Sequence, residues 1–352
     1  MKVSFTTVLR LVQKALGYKA RKDMNMEDKD QKNLWENMGS GKVIDMGKKV
    51  DPIRLIQRLK KPSGPVDVVL DTDTYNEIDD QFALAYLIKS ADKLNLKAVY
   101  AAPFSNGKAP EPAEGMEKSY NEIMNILTLI RREDLKASVY RGATRYLPSE
   151  TEAVDSPAVQ DLINRAMSYN EEKPLYVIAI GAITNIASAI LICPEIINRI
   201  VIVWLGGNAH EWPVNLEFNL WQDIAGARIL FGCGVPVIQL PCMGVVSAFT
   251  TSGPELEHWL RGKNELCDYL IDVTTSEALE SQGAGAWTRA IWDVTAVAWL
   301  LDGDFMIDRL AFSPIPEYDN RYAFDKNRHF IRYVYHIHRD RLFEDLFKKL
   351  AD

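Results

Sequence analysis

The sequence predicts an α/β protein whose central sheet is mostly parallel and flanked by helices. From Val66 onward, short β-rich runs alternate with amphipathic segments of helical period. Several of the runs, such as YVIAI and VIVW, are apolar throughout. A continuous apolar run is typical of a strand buried on both faces, and a crossover helix between two strands favours parallel pairing. Ligands are then expected at the carboxyl ends of the strands.

The predicted elements alternate regularly along the chain. Each strand is a short run rich in β-branched, aromatic or other apolar residues, and each helix has an amphipathic pattern. The predicted strands lie at residues 66–70, 97–102, 138–140, 175–180, 200–205 and 235–240. The predicted helices lie between them, at residues 80–90, 116–131, 158–169, 185–192 and 224–231. The pattern does not specify the order of the strands in the sheet.

Composition limits the classes of protein and of partner. Of the 352 residues, 47% are hydrophobic and 25% are charged, which excludes a disordered, collagen-like or disulfide-scaffold chain. No apolar stretch reaches the roughly 18 residues of a membrane span. The net charge of −7 argues against nucleic acid as a partner, because phosphate binding requires a basic face. We therefore expect a small-molecule ligand rather than a nucleic acid or a membrane.

The charge is distributed unevenly. The first 64 residues contain fifteen Lys and Arg against seven Asp and Glu, hence +8, which leaves −15 for the rest of a chain whose net charge is −7. This asymmetry predicts a basic N-terminal extension or linker at residues 1–64 and a single large domain at residues 65–352. Within the extension, residues 1–16 could form a helix with one apolar face. We expect that face to pack on the domain or on a partner subunit.

The cysteines and the N-terminus both favour a cytoplasmic location. The four cysteines show no metal-binding spacing and lie in or beside apolar runs: Cys193, Cys233, Cys242 and Cys267. We expect four reduced, mostly buried thiols. At the N-terminus, Arg10 and Lys14 interrupt the apolar stretch that a signal peptide would need.

An acidic cluster follows the first predicted strand, in the segment VDVVLDTDTYNEIDDQFALAYLI. It holds five carboxylates in ten residues: Asp71, Asp73, Glu77, Asp79 and Asp80. A helix N-terminus favours negative charge by about 0.3–1 kcal/mol, which does not account for five acids. A hard cation that takes six to eight oxygen ligands would hold them together. Ca²⁺ fits better than Zn²⁺, because the cluster contains no His or Cys.

Two enzyme families place an Asp-x-Asp after a first buried strand. Asp71-Thr72-Asp73 resembles the first motif of haloacid-dehalogenase-like phosphatases, and the segment GDFMID at residues 303–308 resembles their later GDxxxD. That family, however, has Thr or Val where this chain has Tyr75, and its motif leaves Asp79 and Asp80 without a role.

The better match is the inosine/uridine-preferring nucleoside hydrolase family. DTDTYNEIDD resembles its opening DxDPGxDD, with a turn two residues longer. Four further segments resemble family motifs in the right order: GAITNIA at 181–187 for GPLTNIA, LGG at 205–207 for MGG, EFN with DIAGA at 217–227 for EFN…DPEAA, and WDVTAVA at 292–298 for HDPLAVA. The resemblance covers residues 65–310. It implies a single large domain with a mostly parallel, Rossmann-like central sheet flanked by helices.

The resemblance also implies a reaction, which is hydrolysis of the N-glycosidic bond of a ribonucleoside. Such cleavage passes through an oxocarbenium-like sugar and needs a positioned water. By analogy with the family, Ca²⁺ is held by Asp73, Asp80, the backbone carbonyl of Thr184 and Asp293. Ca²⁺ acidifies water only modestly, so Asp73 is the expected general base. Relatives in the family are dimers or tetramers, which implies a homo-oligomer.

The ribose hydroxyls would be bound by polar residues carried over from the same motifs. Asp79, Glu217 and Asn219 are the expected contacts, together with Asn106 in the segment PFSN. Such a set discriminates against sugars that lack the hydroxyls. The family's asparagine upstream of EFN has two candidates, Asn208 and Asn215, because this loop is shorter than usual. Asn208 is the slightly favoured one.

Trp292 replaces a His that protonates the leaving base in the inosine/uridine-preferring subgroup. The purine-specific subgroup has Trp at this position and stacks the base between aromatic rings, so Trp292 implies a preference for purines. Stacking is worth about 1–3 kcal/mol per base. Tyr75, Trp212 and Trp221 are candidate second stacking partners, and His210 lies in a loop that could reach the base. An alternative to a hydrolase is a calcium-holding, ribose-binding protein that has lost turnover. The turn TYNE, Ala182 and Trp292 depart from the family pattern, and these departures support the alternative.

Overall fold

The computed structural model describes residues 51–352, and helix α1 (Pro52–Arg58) begins this part of the chain. The Asp51 carboxylate caps the helix by accepting from the backbone N–H groups of Ile53 and Arg54. Leu55 and Leu59 are buried in the main core. Packing on the domain therefore begins before the predicted boundary at residue 65, and that boundary remains a prediction. The predicted helix at residues 1–16 lies outside the described residues.

Each of the six strands and five helices expected from the sequence is present, with ends shifted by up to four residues. The strands are β1 (Val66–Thr72), β2 (Leu94–Ala101), β3 (Val139–Arg141), β4 (Leu175–Ala179), β5 (Ile200–Leu205) and β6 (Val237–Leu240). The helices are α2 (Asp79–Lys89), α3 (Pro112–Leu129), α4 (Pro157–Met167), α5 (Thr184–Ile192), the short α6 (Phe218–Gln222), which the sequence did not predict, and α7 (Ile224–Gly232).

The remaining third of the chain contains elements that the sequence analysis did not assign. They are β7 (Thr250–Thr251), α8 (Gly253–Leu260), α9 (Glu265–Gln282), β8 (Arg289–Ala290), α10 (Val294–Trp299), β9 (Met306–Phe312), β10 (Ile315–Glu317), β11 (Arg321–Ala323), β12 (Phe330–Ile337) and α11 (Arg339–Ala351). Short 3₁₀ turns lie at Glu133–Ser138, Pro194–Asn198 and Val246–Ala248.

The main sheet has eight strands in the order β3-β2-β1-β4-β5-β6-β12-β9. Every neighbouring pair is parallel except β12 with β9, which is antiparallel. The predicted class, α/β with a mostly parallel sheet, is confirmed. The chain order reverses between β1 and β4, and a doubly wound sheet binds its ligands at such a point, outside the carboxyl ends of the strands.

Burial agrees with this layered arrangement. Strands β4, β5 and β6 are buried along their whole length, and the large side chains of Trp204 and Trp299 are fully enclosed. All four cysteines are free, as predicted, and three of them are buried. Among the described residues, no helix is both long enough and apolar enough to cross a membrane.

Candidate active site

The acidic turn lies at the topological switch point of the sheet. Asp71 is in β1, with Tyr100 of β2 on one side and Ala179 of β4 on the other. The chain leaves β1 through a turn at residues 73–78 and enters α2 at Asp79. Asp79 and Asp80 therefore stand in the first turn of a helix, where free backbone N–H groups and the helix dipole favour negative charge.

Two adjacent carboxylates and one from a distant part of the chain converge here. One oxygen from each of Asp79, Asp80 and Asp293 lies within 4.8 Å of the others, and all three residues are buried. The Asp293 backbone N–H donates to Asp79 Oδ2 at 3.3 Å, and the Thr72 hydroxyl donates to Asp80 Oδ1. The family resemblance predicts Asp73, Asp80 and Asp293 as the acidic ligands and Asp79 as a ribose contact. The group of three contains Asp79 instead, so which acids form the ligand set stays a prediction.

Asp73 lies beside this group and has no compensating partner. Both of its carboxylate oxygens are buried without a hydrogen bond. Burial raises the pKa of the Asp73 carboxyl well above its ordinary value, and the charges of Asp80 and Asp79 raise it further. The pKa of Asp80 is raised to about 6, again chiefly by burial. A cation would remove this cost, because buried carboxylates are stable when they are paired or bound to a metal.

Asp71 behaves differently from the other acids of the turn. Its Oδ1 accepts from the Asn185 side-chain amide at 2.7 Å, while its Oδ2 is buried without a partner. Burial raises the pKa of Asp71 to about 7, and the bond from Asn185 opposes this shift. Asn185 Oδ1 in turn accepts from the backbone N–H of Ala143, which ties the loop after β3 to the end of β1.

The turn that carries Thr184 runs alongside Asp73. A Cβ added at Gly181 would lie 3.2 Å from Asp73 Cγ, so glycine allows this close approach. The Thr184 hydroxyl donates to Asp223 Oδ2 at 2.5 Å. Asp223 Oδ2 also accepts from the Leu147 backbone N–H at 3.2 Å, so one buried acid joins α5 to the loop after β3. The structure therefore places Gly181 beside Asp73 and bonds the Thr184 side chain to Asp223, and the role of the Thr184 carbonyl as a ligand stays a prediction.

Glu217 and Asn219 are held rigidly at the ends of the central strands. Glu217 caps α6: its Oε1 accepts from the Asn219 backbone N–H at 2.9 Å, and its Oε2 accepts from Leu220 and from Gly207 at 2.9 and 2.7 Å. The Asn219 side-chain amide donates to the carbonyls of Ile180 and Leu205 at 3.1 and 3.0 Å. Neither of these contacts uses the Asn219 side-chain oxygen, which is thus available to a ligand.

The two candidate asparagines in the loop after β5 differ in how their side chains are used. Asn208 donates from Nδ2 to the Val214 carbonyl at 3.0 Å and accepts at Oδ1 from the Met243 backbone N–H at 3.1 Å. Asn215 accepts at Oδ1 from the Asn208 backbone N–H at 2.7 Å, and its Nδ2 is buried without a hydrogen bond. The unsatisfied donor therefore belongs to Asn215, whereas the sequence slightly favoured Asn208.

Asn106 is positioned by the unusual turn. Its side-chain amide donates to Asn76 Oδ1 at 2.8 Å, and its Oδ1 accepts from the backbone N–H groups of Lys108 and Ala109. Lys108 also donates from Nζ to the Asn76 carbonyl at 2.8 Å. The longer turn TYNE thus contacts the segment PFSN directly.

The aromatic candidates occupy different surroundings. Trp292 is half-buried and packs against the core immediately before Asp293. Tyr75 is 42% exposed, with the ammonium groups of Lys108 and Lys118 5.8 and 6.0 Å from its ring centre. Trp212 and Trp221 are also exposed. All four remain candidates as stacking partners.

His210 is engaged in a buried polar network. Its Nε2 lies 3.0 Å from Gln239 Oε1, and its ring contacts the rings of Tyr322, Phe324 and Tyr333. Burial lowers the pKa of His210, so the ring favours its neutral form. These contacts explain the burial of His210 by its packing against the neighbouring rings and its hydrogen bond with Gln239.

Two residues near the acids were missed by the sequence analysis. The Arg289 guanidinium contacts Glu77 Oε2 at 3.2 Å and Glu277 Oε1 at 3.1 Å, so Glu77 has a counter-ion that the aspartates lack. The Cys242 thiol is buried, and its pKa is raised by burial and by the carboxylates of Glu217 and Asp293. No local pattern marks either residue, because Arg289 comes from β8 and Cys242 from the loop after β6, both far along the chain from the acidic turn.

The acids of the GDxxxD segment are occupied elsewhere. Asp304 is exposed and pairs with Arg341. Asp308 accepts from Trp299 Nε1 at 2.9 Å and pairs with Arg332 at 3.3 Å. These contacts give both acids structural partners within the chain.

Comparisons with known proteins agree with this architecture. The family described as inosine-uridine preferring nucleoside hydrolase matches the chain over residues 68–334. The pyrimidine-specific ribonucleoside hydrolase RihA of Escherichia coli O1:K1 / APEC is 24% identical over 265 residues, which cover 66% of this chain and 79% of that protein. RihA of Salmonella agona (strain SL483) matches with the same identity and coverage.

Two solved structures share the fold. A plant nucleoside hydrolase, PpNRh1, has a TM-score of 0.67 at 19% identity, and the match covers 82% of this chain and 99% of that one. A purine-preferring ribonucleoside hydrolase from Gardnerella vaginalis has a TM-score of 0.65 at 20% identity, and the match covers 81% and 98%.

Proposed function

Because this chain belongs to the inosine-uridine preferring nucleoside hydrolase family, we propose that it hydrolyses the N-glycosidic bond of ribonucleosides, with Ca²⁺ as cofactor and a preference for purines. The products are the free base and ribose, which is a reaction suited to purine salvage. The observation that supports this most is the buried group of Asp79, Asp80 and Asp293 beside the unpartnered Asp73.

The donor set fits a hard cation. It consists of carboxylate oxygens, and neither His nor Cys belongs to the group of three in the described part of the chain. Hard oxygen donors suit Ca²⁺ or Mg²⁺ rather than Zn²⁺, and we propose Ca²⁺ because it takes six to eight oxygens and readily uses carboxylates with backbone carbonyls. We propose Asp73, Asp80, Asp293 and the carbonyl of Thr184 as ligands. When bound, Ca²⁺ would supply positive charge that orients a water and the ribose hydroxyls.

Asp73 is the proposed general base. Its two oxygens have no hydrogen-bond partner in the protein, so they are free to accept from a water. Attack of that water at the anomeric carbon breaks the N-glycosidic bond, and the bonding electrons leave with the base, which takes up a proton from solvent to become the free base. The water proton passes to Asp73. The sugar develops positive charge as the bond breaks, and the surrounding carboxylates stabilise that charge.

The ribose would be oriented by fixed polar groups. We propose Asp79, Asn106, Glu217 and Asn219 as hydroxyl contacts, with one asparagine of the loop after β5. The free Nδ2 of Asn215 supports Asn215 over Asn208 for this last position. Rigidly held donors and acceptors favour catalysis, because they need no rearrangement as the transition state forms.

The purine preference rests on Trp292. An indole ring cannot donate a useful proton, but it provides a face on which a base can stack. A purine ring system offers a larger stacking surface than a pyrimidine ring. The relatives named above include both pyrimidine-specific and purine-preferring hydrolases, so the preference for purines is proposed from Trp292 and not from those relatives. A homo-oligomeric state and a cytoplasmic location are further predictions.

A second candidate function is ribose binding without turnover. Three backbone N–H groups already donate to the Glu217 carboxylate, and the Asn208 amide donates to Val214 and accepts from Met243, so these two side chains have less capacity left for ribose hydroxyls. A site with fewer hydroxyl contacts could hold a ribosyl ligand without forming the strained geometry that cleavage needs.

Release of free base is the decisive measurement. The protein is incubated with inosine, adenosine, guanosine, uridine or cytidine, in Ca²⁺ or in a chelator, and the base is quantified by chromatography. The proposal predicts release that is faster for purines and lost on chelation. Asp304→Ala is the matched control, because Asp304 is an exposed acid paired with Arg341. Ribose binding without release of any base would favour the second candidate.

A further inference from the structure

A second concave site lies beside the loop that joins β5 to α6. This cavity has a volume of about 450 Å³. It is lined by charged, aromatic and small residues: Glu211, Arg309, Tyr333, Tyr335, Gly244 and Val245, with Ala209 beside them. None of the aspartates of the candidate active site lines it. A cavity of this size accommodates a small organic molecule.

The cavity presents a hydrogen-bond donor and an acceptor side by side. Arg309 Nη2 lies 3.5 Å from Glu211 Oε1, and both side chains are more than half exposed. Arg309 and Tyr333 are cross-strand neighbours on β9 and β12, and the guanidinium carbon lies 5.4 Å from the Tyr333 ring centre. An exposed pair at this distance contributes little stability, so a ligand can replace the contact at low cost.

The wall of the cavity is held in place by backbone contacts. The Ala209 N–H donates to the Met243 carbonyl at 2.9 Å, and the His210 N–H donates to the Tyr333 hydroxyl at 3.2 Å. Gly244 has a φ of +90°, and an added Cβ there would lie 2.8 Å from the Ala209 Cβ. Glycine is therefore required for these two loops to meet, and their contact shapes the cavity.

The same loops reach the candidate active site. The Gly207 N–H is bound by Glu217, and the Gly207 carbonyl accepts from the Cys242 N–H at 2.8 Å. Two residues further along each loop are Ala209 and Gly244, which line the cavity. The cavity is therefore adjacent to the place where the proposed reaction would occur.

The lining selects one class of ligand. An arginine and a glutamate together give no net charge, so the cavity favours neither a phosphate nor a metal ion. Aromatic rings favour a planar ligand that can stack. A nucleobase is planar and has an acceptor next to a donor on its hydrogen-bonding edge, which matches Arg309 beside Glu211.

We propose that this cavity is a second site, which binds a free nucleobase. Arg309 donates to a ring carbonyl or ring nitrogen, Glu211 accepts from the neighbouring N–H, and Tyr335 stacks on the ring. The choice of a nucleobase rests in part on the proposed function, because a nucleobase is the product of that reaction.

Calorimetric titration of the full-length protein with hypoxanthine and with uracil tests the proposal. The double variant Glu211→Ala/Arg309→Ala should bind at least tenfold more weakly. The matched control is Arg145→Ala/Glu152→Ala, which removes another exposed pair at 3.5 Å and should bind as the wild type does. Trp292→Ala should retain binding at this cavity. Thermal melting of each variant identifies any loss of folding. The single variant Arg309→Lys keeps a hydrogen-bond donor, so it should bind more tightly than the double variant.

The inference and the proposed function fail separately. The titration is repeated in Asp80→Asn, which should lack turnover and still bind the base. The protein could bind a base through Arg309 and yet release no base from nucleosides. That result would support the second site and contradict the proposed hydrolase activity. Equal affinity in the wild type and the Glu211/Arg309 double variant would overturn the inference. It would also be overturned by no binding of either base, or by tighter binding of phenylalanine, a planar-ringed zwitterion.

Discussion

The backbone N–H of Asp293 donates to Oδ2 of Asp79 at 3.3 Å, although 214 positions separate the two residues. This hydrogen bond joins the N-terminal end of α2 to the residue that precedes α10. It brings the carboxylate of Asp293 to the adjacent pair Asp79 and Asp80. The group of three therefore consists of acids alone, with no basic residue in it. Such an arrangement is stable at neutral pH only if something compensates its charge.

Removal of one acid should abolish cation binding. In Asp80→Asn, the loss of one charged donor from the group should lower Ca²⁺ affinity by at least a hundredfold. Because a ligand that binds only the folded state stabilises it, Ca²⁺ should raise the Tm of the wild type and leave that of the variant unchanged. Thermal melting at several Ca²⁺ concentrations measures both. The Asp304→Ala control should respond as the wild type does, and an unaltered response of Asp80→Asn would refute the assignment.

Asp73→Asn should separate folding from turnover. The amide keeps the shape of the side chain but cannot take a proton, so we expect kcat to fall by about 10²–10⁴-fold. Circular dichroism and the Tm should remain close to those of the wild type, because Asp73 makes no hydrogen bond that the amide would lose. The assay is run at saturating Ca²⁺ to compensate for weaker metal binding. A kcat near that of the wild type would remove Asp73 as the base.

Trp292→Ala should weaken binding of nucleosides with large bases. Loss of a stacking contact worth about 1–3 kcal/mol corresponds to a rise in KM of about 5–150-fold for inosine. The rise should be much smaller for a riboside whose leaving group has no aromatic ring. Trp292→Phe, which keeps an aromatic face, should recover part of the affinity. Equal changes for both substrates would indicate that Trp292 acts through packing alone.

The two asparagines of the loop after β5 should respond in opposite ways. Asn208→Ala removes two hydrogen bonds, one to Val214 in the same loop and one from Met243 in the loop after β6, and should lower stability by about 1–3 kcal/mol. Asn215→Ala removes one hydrogen bond, from the Asn208 backbone N–H, together with a buried donor that has no partner, so its Tm should fall less than that of Asn208→Ala while its KM for nucleosides rises. Urea unfolding and steady-state kinetics of both variants provide the comparison. If Asn208→Ala instead raised KM without loss of stability, Asn208 would be the ribose contact.

A buried acid of helix α3 should make stability depend on pH. Glu122 accepts from the Tyr269 hydroxyl at 2.6 Å, yet burial raises the pKa of its carboxyl above the ordinary value of 4.5. Between the unfolded and folded pKa values, the folded state binds more protons than the unfolded state. The free energy of unfolding therefore falls as pH rises through that window.

The variant Glu122→Gln should lack this contribution, since an amide does not titrate. We expect its free energy of unfolding to decline less than that of the wild type as pH rises above about 4. Urea unfolding at saturating Ca²⁺ measures this, because the bound cation keeps the site acids from dominating the comparison. Identical pH profiles for the two proteins would show that Glu122 titrates at its ordinary pKa in the folded state.

The sequence by itself determined the class of fold and the position of the acidic turn. Apolar runs such as those of β4 and β5 predict buried parallel strands because a strand covered on both faces buries every residue, and a run this short is typical of a strand rather than of a buried helix. Asp73, Asp79 and Asp80 could be located from sequence because they are close together in the chain. Patterns of this kind can be recognised because they depend only on residues that are close together in the sequence.

Only the tertiary structure decided which distant residues meet. It set the order of the strands, added β12 and β9 to the sheet, and paired Asp293 with Asp79, whereas the family resemblance grouped Asp293 with Asp73 and Asp80. It also gave Glu77 its counter-ion Arg289 and left the free donor on Asn215. These contacts depend on how strands and loops pack in space, and the free energy of that packing is shared over the whole core. No local run of residues encodes it.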